Sequence, residues 1–315
     1  MNKRALGRTG IEIAPFALGG NVFGWTADEA TSLSLIDRFV ERGFSLVDTA
    51  DTYSIWVDGH RGGESEAVIG RWLARGGDRD KVVIATKVGM DMKERGKGLS
   101  RDHILHSCEA SRRRLGVDRI DLYYAHLDDT EVPLEETLGA FAELVRDSKV
   151  GAVGASNFTA ARLAEALAVS ARLGLPRFEF LQPNYHLANR AGFEAELRDL
   201  CVAEDLGVVP YYGLAGGFLT GKYRSGKDLE GSHRARTVSQ FLNPKGLGIL
   251  AALDAVAARL QATPAEIALA WLMAQKGVTA PIASATSLNQ LDAILRAVEV
   301  RLDADALAVL DAASA

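Results

Sequence analysis

The sequence has few cysteines and no excess of positive charge, and each absence excludes a class of protein. Its 315 residues include two cysteines, Cys108 and Cys201, far apart and without metal-type spacing. This excludes a disulfide framework and predicts two reduced thiols in helices, with no metal site. The formal net charge of −5 leaves no basic field to attract a phosphate backbone, so we expect no nucleic-acid partner.

Long hydrophobic runs are also lacking. No stretch reaches the ~18 uncharged apolar residues that a membrane-spanning helix needs, and no apolar segment follows the basic residues near the N-terminus. We therefore expect a cytoplasmic protein with no membrane partner. An apolar share of 48% and a charged share of 24% are typical of a globular chain, which excludes disorder and coiled coil for the whole sequence.

The sequence does contain a regular alternation of short apolar runs and amphipathic helical stretches, after a predicted hairpin over residues 5–13. Strands that alternate with helices pair in parallel, because consecutive parallel strands need a crossover. The predicted strands are 16–19, 45–47, 82–86, 120–125, 151–155, 178–181, 208–211 and 279–283.

Eight such units predict an α/β fold, a (β/α)8 TIM barrel. We expect one domain over residues 1–315, with an extra packing helix over 303–313. A doubly wound open sheet is the alternative, but the Gly-x-Gly-x-x-Gly turn of its nucleotide site is missing. Two connections, 54–63 and 213–245, exceed the usual two to six residues, and both lie on the face where barrels build active sites.

Polar residues follow three consecutive predicted strands at the same point. Asp48, Lys87 and His126 each stand at a strand end, one βα unit apart, and Tyr53 begins the first long connection. Neighbouring strands of a closed barrel lie ~4.8 Å apart, so these side chains should meet at one rim. Singly, each has a structural alternative, such as helix capping or core packing, but the four together favour catalysis.

The chemistry of this cluster suits proton transfer to a carbonyl oxygen. We expect the Lys87 ammonium to lower the pKa of the Tyr53 hydroxyl, while Asp48 holds the lysine charged. A neutral His126 would donate a second hydrogen bond to the substrate oxygen. Tyr53 would then give a proton to a carbonyl, or take one from an alcohol in reverse.

These residues belong to motifs that resemble the aldo-keto reductase family. The resemblance spans roughly residues 4–313. Its motifs are Leu6-Gly7-Arg8-Thr9-Gly10, Asp48-Thr49-Ala50-Asp51-Thr52-Tyr53, Glu64-Ser65-Glu66 with Ile69-Gly70, Ala85-Thr86-Lys87, residues 120–126, residues 153–158, Gln182-Pro183-Asn184-Tyr185 and Leu219-Thr220-Gly221-Lys222-Tyr223.

The resemblance implies an NAD(P)H-dependent carbonyl reductase whose catalytic residues are Asp48, Tyr53, Lys87 and His126. It also implies a set of cofactor contacts along the rim. Ser156, Asn157 and Gln182 would bind the nicotinamide carboxamide, Tyr211 would stack on the ring, and Leu214, Gly217 and Lys222 would surround the pyrophosphate.

The sequence departs from the family pattern in two regions that concern the cofactor, the part after the eighth strand and the turn that begins at Tyr211. The part after the eighth strand lacks the usual cation for the 2′-phosphate, and Ile294 stands where relatives have an asparagine. Ser284, Thr286 and Gln290 can still donate hydrogen bonds there, so the family habit predicts NADP(H), with NAD(H) as the alternative. Tyr211-Tyr212-Gly213 replaces a Tyr-Ser-Pro turn, which keeps the stacking ring.

The substrate pocket is predicted to have an aromatic wall that favours a bulky or apolar carbonyl compound over a phosphorylated sugar. His60 and Arg61 leave a polar substrate open. Besides Tyr53 and His126, the expected lining residues are Phe23, Trp25, Ile55, Trp56, Leu127 and Asp128.

Three other functions stay open at the level of sequence. The same site could serve an NAD-linked alcohol or sugar dehydrogenase. The fold is shared by non-catalytic nucleotide-sensing subunits like the potassium-channel β proteins, although the intact four-residue cluster argues against that role. A Schiff-base lyase would use Lys87 as its nucleophile, which a neighbouring Asp48 disfavours by keeping the amine protonated.

Overall fold

The computed structural model describes residues 2–315 and contains a (β/α)8 barrel. A two-stranded antiparallel hairpin, β1 (Arg4–Ala5) and β2 (Glu12–Ile13), precedes it. The barrel strands are β3 (Ala17–Gly19), β4 (Leu46–Asp48), β5 (Val83–Val88), β6 (Ile120–Ala125), β7 (Val150–Ser156), β8 (Phe180–Gln182), β9 (Gly207–Val208) and β10 (Ile282–Ala283). They pair in parallel in the order β10-β3-β4-β5-β6-β7-β8-β9, which confirms the predicted fold class.

The barrel closes between β9 and β10 through backbone hydrogen bonds. Thr279 N donates to Val208 O at 2.8 Å, and Ile282 N donates to Pro210 O at 2.8 Å. Both strands are shorter than predicted. The physical reason is that Pro210 and Pro281 have no N–H, so a continuous ladder cannot form across the predicted spans.

Helices surround the barrel on its outside. They are α1 (Glu29–Glu41), α2 (Glu64–Ala74), α3 (Arg101–Leu115), α4 (Leu134–Arg146), α5 (Ala160–Leu173), α6 (Glu196–Ala203), α7 (Ala235–Ser239), α8 (Pro244–Leu260), α9 (Pro264–Ala274), α10 (Leu288–Leu295) and α11 (Ala304–Ser314). Each crossover helix buries one apolar face, as Leu138, Phe141 and Leu144 do in α4. The predicted C-terminal helix is α11, which begins after the Asp303 cap. Cys108 in α3 and Cys201 in α6 are free and buried, as expected.

The hairpin covers the end of the barrel opposite the strand-to-helix connections. Leu6 and Ile13 are fully buried in the cluster that fills the barrel interior. Arg4 ties the hairpin to the last βα unit, because its guanidinium donates to the carbonyl oxygens of Val278 at 2.9 Å and Met273 at 3.0 Å. The interior is therefore closed at this end, and access remains from the carboxyl ends of the strands.

Close packing inside the barrel explains one glycine. A Cβ on Gly154 of β7 would lie 2.1 Å from the ring of Phe180 on the neighbouring strand. The Phe180 ring in turn packs edge-on against Tyr124, with centroids 4.7 Å apart. Only a residue without a side chain leaves room for these two rings.

No single helix within residues 2–315 is long and apolar enough to cross a membrane. The pair α8 and α9 reaches that length and composition only together, across a bend of 95°.

Candidate active site

The carboxyl ends of three neighbouring strands bring the predicted cluster together. Asp48 is the last residue of β4, Lys87 lies at the end of β5, and His126 directly follows β6. The strand register places Asp48 beside Ala85 and Lys87 beside Tyr124. The connection after β4 then turns Tyr53 back over this rim.

Lys87 is the centre of the cluster and has no exposed surface. Its Nζ donates hydrogen bonds to Asp48 Oδ1 at 2.7 Å, to the Thr49 carbonyl oxygen at 2.7 Å and to the Tyr53 hydroxyl at 3.1 Å. The three N–H bonds of an ammonium group are thus all used. Lys87 is therefore not a solvated surface lysine.

Burial shifts the pKa of Tyr53 in the direction opposite to the one expected from the sequence. Burial, followed by the negative charge of Asp48, raises the pKa of Tyr53 well above its ordinary value. The expected lowering of the Tyr53 pKa is therefore wrong for the protein alone, because loss of water opposes the phenolate more than the Lys87 ammonium stabilises it. Burial also lowers the pKa of Lys87, against the opposing effect of Asp48. Tyr53 accordingly holds its proton at neutral pH.

His126 stands beside Tyr53, with ring centroids 6.1 Å apart. Burial, and then the charge of Lys87, lowers the pKa of His126 well below its ordinary value, so the imidazole is neutral. Its backbone is fixed on both sides, because His126 N donates to Val88 O at 2.8 Å and Asn157 Nδ2 donates to His126 O at 2.9 Å. The buried Nδ1 atom has no hydrogen-bond partner among residues 2–315.

The residues expected at the nicotinamide form one hydrogen-bonded row along β7, β8 and the end of β9. Ser156 Oγ donates to the Gln182 carbonyl oxygen at 2.9 Å. The Tyr211 hydroxyl donates to Asn157 Oδ1 at 2.8 Å, which fixes a ring that keeps part of its surface exposed. Gln182 Nε2 donates to Asp48 Oδ2 at 2.8 Å, so this row joins the four-residue cluster.

The connection after β9 contains the residues expected at the pyrophosphate. Leu214 precedes a turn in which Gly216 and Gly217 have φ values of 67° and 99°. Such values suit glycine, and Gly217 N closes the turn by donating to Leu214 O at 2.8 Å. Lys222 Nζ lies over the ring of Tyr223, 4.9 Å from its centroid, and is exposed.

The polar groups of the segment after β10 already form hydrogen bonds within the protein. Ser284 Oγ donates to Asn21 Oδ1 at 2.6 Å. The Thr286 backbone N and hydroxyl both donate to Gln290 Oε1, at 2.9 Å and 3.0 Å. Gln290 is exposed at the first turn of α10, and Ser287 caps that helix.

Three of the aromatic residues expected in the substrate wall pack on one another, and a fourth, Phe23, lies elsewhere. Trp25 and Trp56 pack edge-to-face, with centroids 5.7 Å apart, and Trp56 packs on Tyr53 at 5.8 Å. Ile55 is partly exposed. Phe23 does not line the pocket, because its ring has no exposed surface and packs in the core against the outer helices.

The other side of the predicted pocket is formed by Leu127 and Asp128. Leu127 is 37% exposed. Asp128 is paired with Arg162 of α5 at 2.9 Å, so its charge is already compensated. This carboxylate therefore presents little free negative charge to the pocket.

A buried carboxyl pair behind the cluster was not identified from the sequence. Glu66 of α2 has no exposed surface, pairs with Arg114 at 2.6 Å and accepts a hydrogen bond from Thr86 at 2.6 Å. Asp51 is also buried, and its Oδ1 has no hydrogen-bond partner. Burial, and then repulsion from Glu66, raises the pKa of Asp51 to about 8. The sequence signal for this pair was limited to the two family motifs that contain Asp51 and Glu66.

Two residues from the long connection after β9 also reach the aromatic wall. His233 packs on Trp25 with centroids 5.9 Å apart, and the Arg234 guanidinium lies 5.4 Å from the Trp25 centroid. No sequence pattern marked these two residues, because the contact joins connections far apart in the chain.

Comparison with known proteins gives matches over nearly the whole chain. The model of the aldo/keto reductase family matches residues 15–315. The chain is 35% identical to an uncharacterized oxidoreductase, YrpG, of Bacillus subtilis, over 97% of this chain and 94% of the relative. It is 32% identical to the aldo-keto reductase YhdN of Bacillus subtilis, over 93% and 88%. A putative voltage-gated potassium channel subunit beta of Schizosaccharomyces pombe is also 32% identical, over 94% and 88%.

Proposed function

We propose that this chain, which belongs to the aldo-keto reductase family of NAD(P)(H)-dependent oxidoreductases, reduces an aldehyde or ketone to the alcohol with NADPH. The observation that carries the proposal is the position of Lys87 Nζ, which donates to both Asp48 Oδ1 and the Tyr53 hydroxyl. This arrangement leaves one neutral acid, Tyr53, at the mouth of the barrel with a cation behind its oxygen.

Tyr53 is the proton donor in this proposal. Its raised pKa keeps the hydroxyl protonated before the reaction, so the group can donate to a carbonyl oxygen on which negative charge develops. The phenolate that results stays within hydrogen-bonding distance of the Lys87 ammonium, which stabilises it. Asp48 and the Thr49 carbonyl oxygen hold that ammonium in place.

His126 orients the carbonyl oxygen beside Tyr53. A neutral imidazole can donate one N–H to that oxygen without competing for its proton. Trp56 packs edge-to-face on the Tyr53 ring, with centroids 5.8 Å apart, and helps to hold that ring in place. The reduced nicotinamide, when bound, supplies the hydride that the carbonyl carbon accepts while Tyr53 protonates the oxygen.

The residues present fit a nicotinamide dinucleotide. The part-exposed Tyr211 ring is fixed by Asn157 and offers a stacking face, while the Gln182 Oε1 atom remains for a carboxamide N–H because Nε2 is bonded to Asp48. Gly216 and Gly217 form a turn with positive φ values at which the backbone can approach a pyrophosphate closely, with Lys222 beside it. Leu214 packs partly against the core beneath that turn.

We propose NADPH rather than NADH on family habit. Ser284, Thr286 and Gln290 would donate the hydrogen bonds to the 2′-phosphate, after Gln290 exchanges its contact with Thr286 for one to the phosphate. Residues 284–290 contain no cation, so affinity for the 2′-phosphate would be lower than in a site with an arginine. An NAD-linked alcohol or sugar dehydrogenase is therefore the alternative, and a parallel titration with NADPH and NADH distinguishes the two.

The substrate in this proposal is a small-molecule carbonyl compound with an apolar or aromatic body. Trp25, Ile55, Trp56 and Leu127 offer apolar surface around the Tyr53 hydroxyl. Apolar contacts of this kind bind an aryl or alkyl group, while Tyr53 and His126 select the carbonyl.

A nucleotide-sensing role is a second candidate, favoured by the similarity to the putative potassium channel subunit beta. Turnover distinguishes the two functions, since a sensor need not reduce a carbonyl at a useful rate. A Schiff-base lyase is disfavoured by the geometry, because Lys87 is fully buried and its three N–H bonds are used.

Tryptophan fluorescence titration with NADPH and NADH in parallel tests the cofactor, since Trp25 and Trp56 lie beside Tyr53. We expect quenching by NADPH at lower concentrations than by NADH, followed by loss of NADPH absorbance when an aryl aldehyde is added. Tighter binding of NADH would replace the NADPH proposal with an NAD-linked enzyme. Binding without turnover of any carbonyl compound would favour the sensing role, and no binding of either would overturn the proposal.

A further inference from the structure

A row of aromatic rings leads from the reacting hydroxyl to the outer edge of the mouth. Tyr53 contacts Trp56 at 5.8 Å, and Trp56 contacts Trp25 at 5.7 Å, both edge-to-face. Trp56 is 50% exposed, which is unusual for an indole in a globular protein. The row therefore offers an open apolar surface much longer than a carbonyl group alone requires.

The far end of this row carries positive charge. The Arg234 guanidinium lies over Trp25, 5.4 Å from the ring centroid, and the His233 ring packs on the same indole. A guanidinium on a ring face keeps its N–H edge free for planar, bidentate bonds to a carboxylate. Arg234 is partly buried, so such a bond would be screened less than one at an open surface.

Asp28 and Glu29, the two acidic residues close to Trp25 in the chain, are engaged elsewhere. Within residues 2–315, no carboxylate oxygen lies within 4.0 Å of the Arg234 guanidinium. Asp28, close to Trp25 in the chain, caps α1 by accepting from Thr31 N at 2.8 Å. Glu29 pairs with Arg71 at 2.7 Å. Among residues 2–315, the Arg234 guanidinium therefore has no carboxylate partner, and its charge is free to bind an anionic group of a ligand.

We propose that the enzyme prefers elongated carbonyl compounds that carry a carboxylate at the end remote from the carbonyl group. Arg234 binds the carboxylate, Trp25 and Trp56 hold the apolar middle, and Tyr53 and His126 receive the carbonyl oxygen. This inference rests on the proposed reductase function and gives its substrate class. His233 adds a second donor at the same end.

The test compares two substrates that differ only in the remote charge, 8-oxooctanoate and its methyl ester, with NADPH as reductant. We expect kcat/KM of the natural protein to be on the order of tenfold to 10²-fold higher for the acid, because a charge-assisted hydrogen bond exceeds a neutral one by that margin. Arg234→Gln should remove this preference through a higher KM for the acid, with kcat and the ester unchanged. Arg234→Lys should restore part of it.

Arg236→Gln is the matched control. Arg236 is an exposed arginine in α7, the short helix that begins directly after Arg234, whereas the guanidinium that lies over Trp25 is that of Arg234. We expect this variant to keep the full preference for the acid. The Kd for NADPH, measured by fluorescence for all variants, separates a substrate role of Arg234 from a cofactor role.

Three results would overturn the inference, and they are distinguishable. Equal kcat/KM for the acid and the ester in the natural protein would remove the preference while leaving the reductase function intact. A weaker Kd for NADPH in Arg234→Gln, with both substrates affected equally, would assign Arg234 to the cofactor. No turnover of either substrate, nor of an aryl aldehyde, would overturn the reductase function itself and the inference with it.

Discussion

Gln182 on β8 donates a hydrogen bond from Nε2 to Oδ2 of Asp48 on β4, at 2.8 Å and across the interior of the barrel. The two strands stand on opposite sides of the closed sheet. Both side chains are buried, so the bond is made where little water competes. One carboxylate thus receives Lys87 on one oxygen and a residue of the expected nicotinamide row on the other.

This bond makes Gln182 sensitive to charge. Gln182→Glu would place a second carboxylate against Asp48, and we expect the free energy of unfolding at pH 8 to fall by about 1 to 3 kcal/mol. The loss should shrink toward pH 5, where one of the two carboxyls takes up a proton. Chemical denaturation at both pH values measures it, with Gln261→Glu at an exposed position as the control. Equal stability of Gln182→Glu and the natural protein at pH 8 would contradict the contact.

Tyr53→Phe should remove the acid and little else. We expect kcat for carbonyl reduction to fall on the order of 10²-fold or more, because no other hydroxyl donates at this position. The Kd for NADPH should stay within about twofold, since the ring and its contact with Trp56 remain. Steady-state kinetics and fluorescence titration give the two numbers, and a variant with full activity would exclude Tyr53 as the proton donor.

Lys87→Met tests the cation behind that acid. Two effects are expected: loss of turnover, because the phenolate loses its ammonium partner, and a loss of about 3 to 5 kcal/mol in unfolding free energy, because Asp48 becomes an unpaired buried charge. The double variant Asp48→Asn, Lys87→Met should recover much of the stability and none of the activity. Recovery of both would show that the lysine is only structural.

Ionisation of the buried Asp51 carboxyl should lower the free energy of unfolding as the pH rises. Its pKa of about 8 in the folded protein lies above the ordinary value of ~3.9 for an unfolded chain. The folded state therefore binds the Asp51 proton more tightly than the unfolded state does. The resulting contribution to the free energy of unfolding is fully present below pH ~4 and is lost as the pH rises through about 8. We expect Asp51→Asn to stabilise the protein by more than about 2 kcal/mol at pH 9 and by little at pH 4.

Denaturation across that pH range, with the exposed Asp58→Asn as control, measures the effect. A stability difference between Asp51→Asn and the natural protein that is independent of pH would show that Asp51 is ionised throughout.

Two glycines should respond in opposite directions to alanine. Gly154→Ala would drive a methyl group into the Phe180 ring, and we expect a loss of about 3 kcal/mol or more in unfolding free energy, or no folded protein. Gly139 lies inside α4 with open space at its Cβ position, so Gly139→Ala should stabilise by about 0.5 to 1 kcal/mol. Thermal unfolding of the pair provides the comparison, and similar effects at both positions would contradict the packing.

The sequence predicted the barrel because the signal is local and repeated. Each unit shows its own apolar strand and helical period, and Asp48, Lys87 and His126 mark the same point of three successive units. Strand register then converts equal spacing into proximity. The ends of β9 and β10 were missed by a few residues, since Pro210 and Pro281 interrupt the ladder without changing the apolar pattern.

Other features depend on contacts that no local pattern records. Phe23 is aromatic and follows a strand end, yet it turns into the core, which hydrophobicity alone does not distinguish from a pocket wall. The direction of the Tyr53 pKa depends on how completely water is excluded, and this is a property of the packed protein. The contact of Arg234 with Trp25 joins the connections after β3 and after β9, which are far apart in the chain.

The hydrogen bonds of Arg4 also have a consequence for synthesis on the ribosome. The carbonyl oxygens that receive its guanidinium belong to Met273, Val278 and Thr279, so the hairpin, made first, contacts residues that are translated near the end. Leu6 likewise has no complete surroundings until the later strands have formed. The hairpin therefore waits until the last βα unit of the barrel has been synthesised, and closure of the barrel depends on contacts between residues that lie 269 to 275 positions apart.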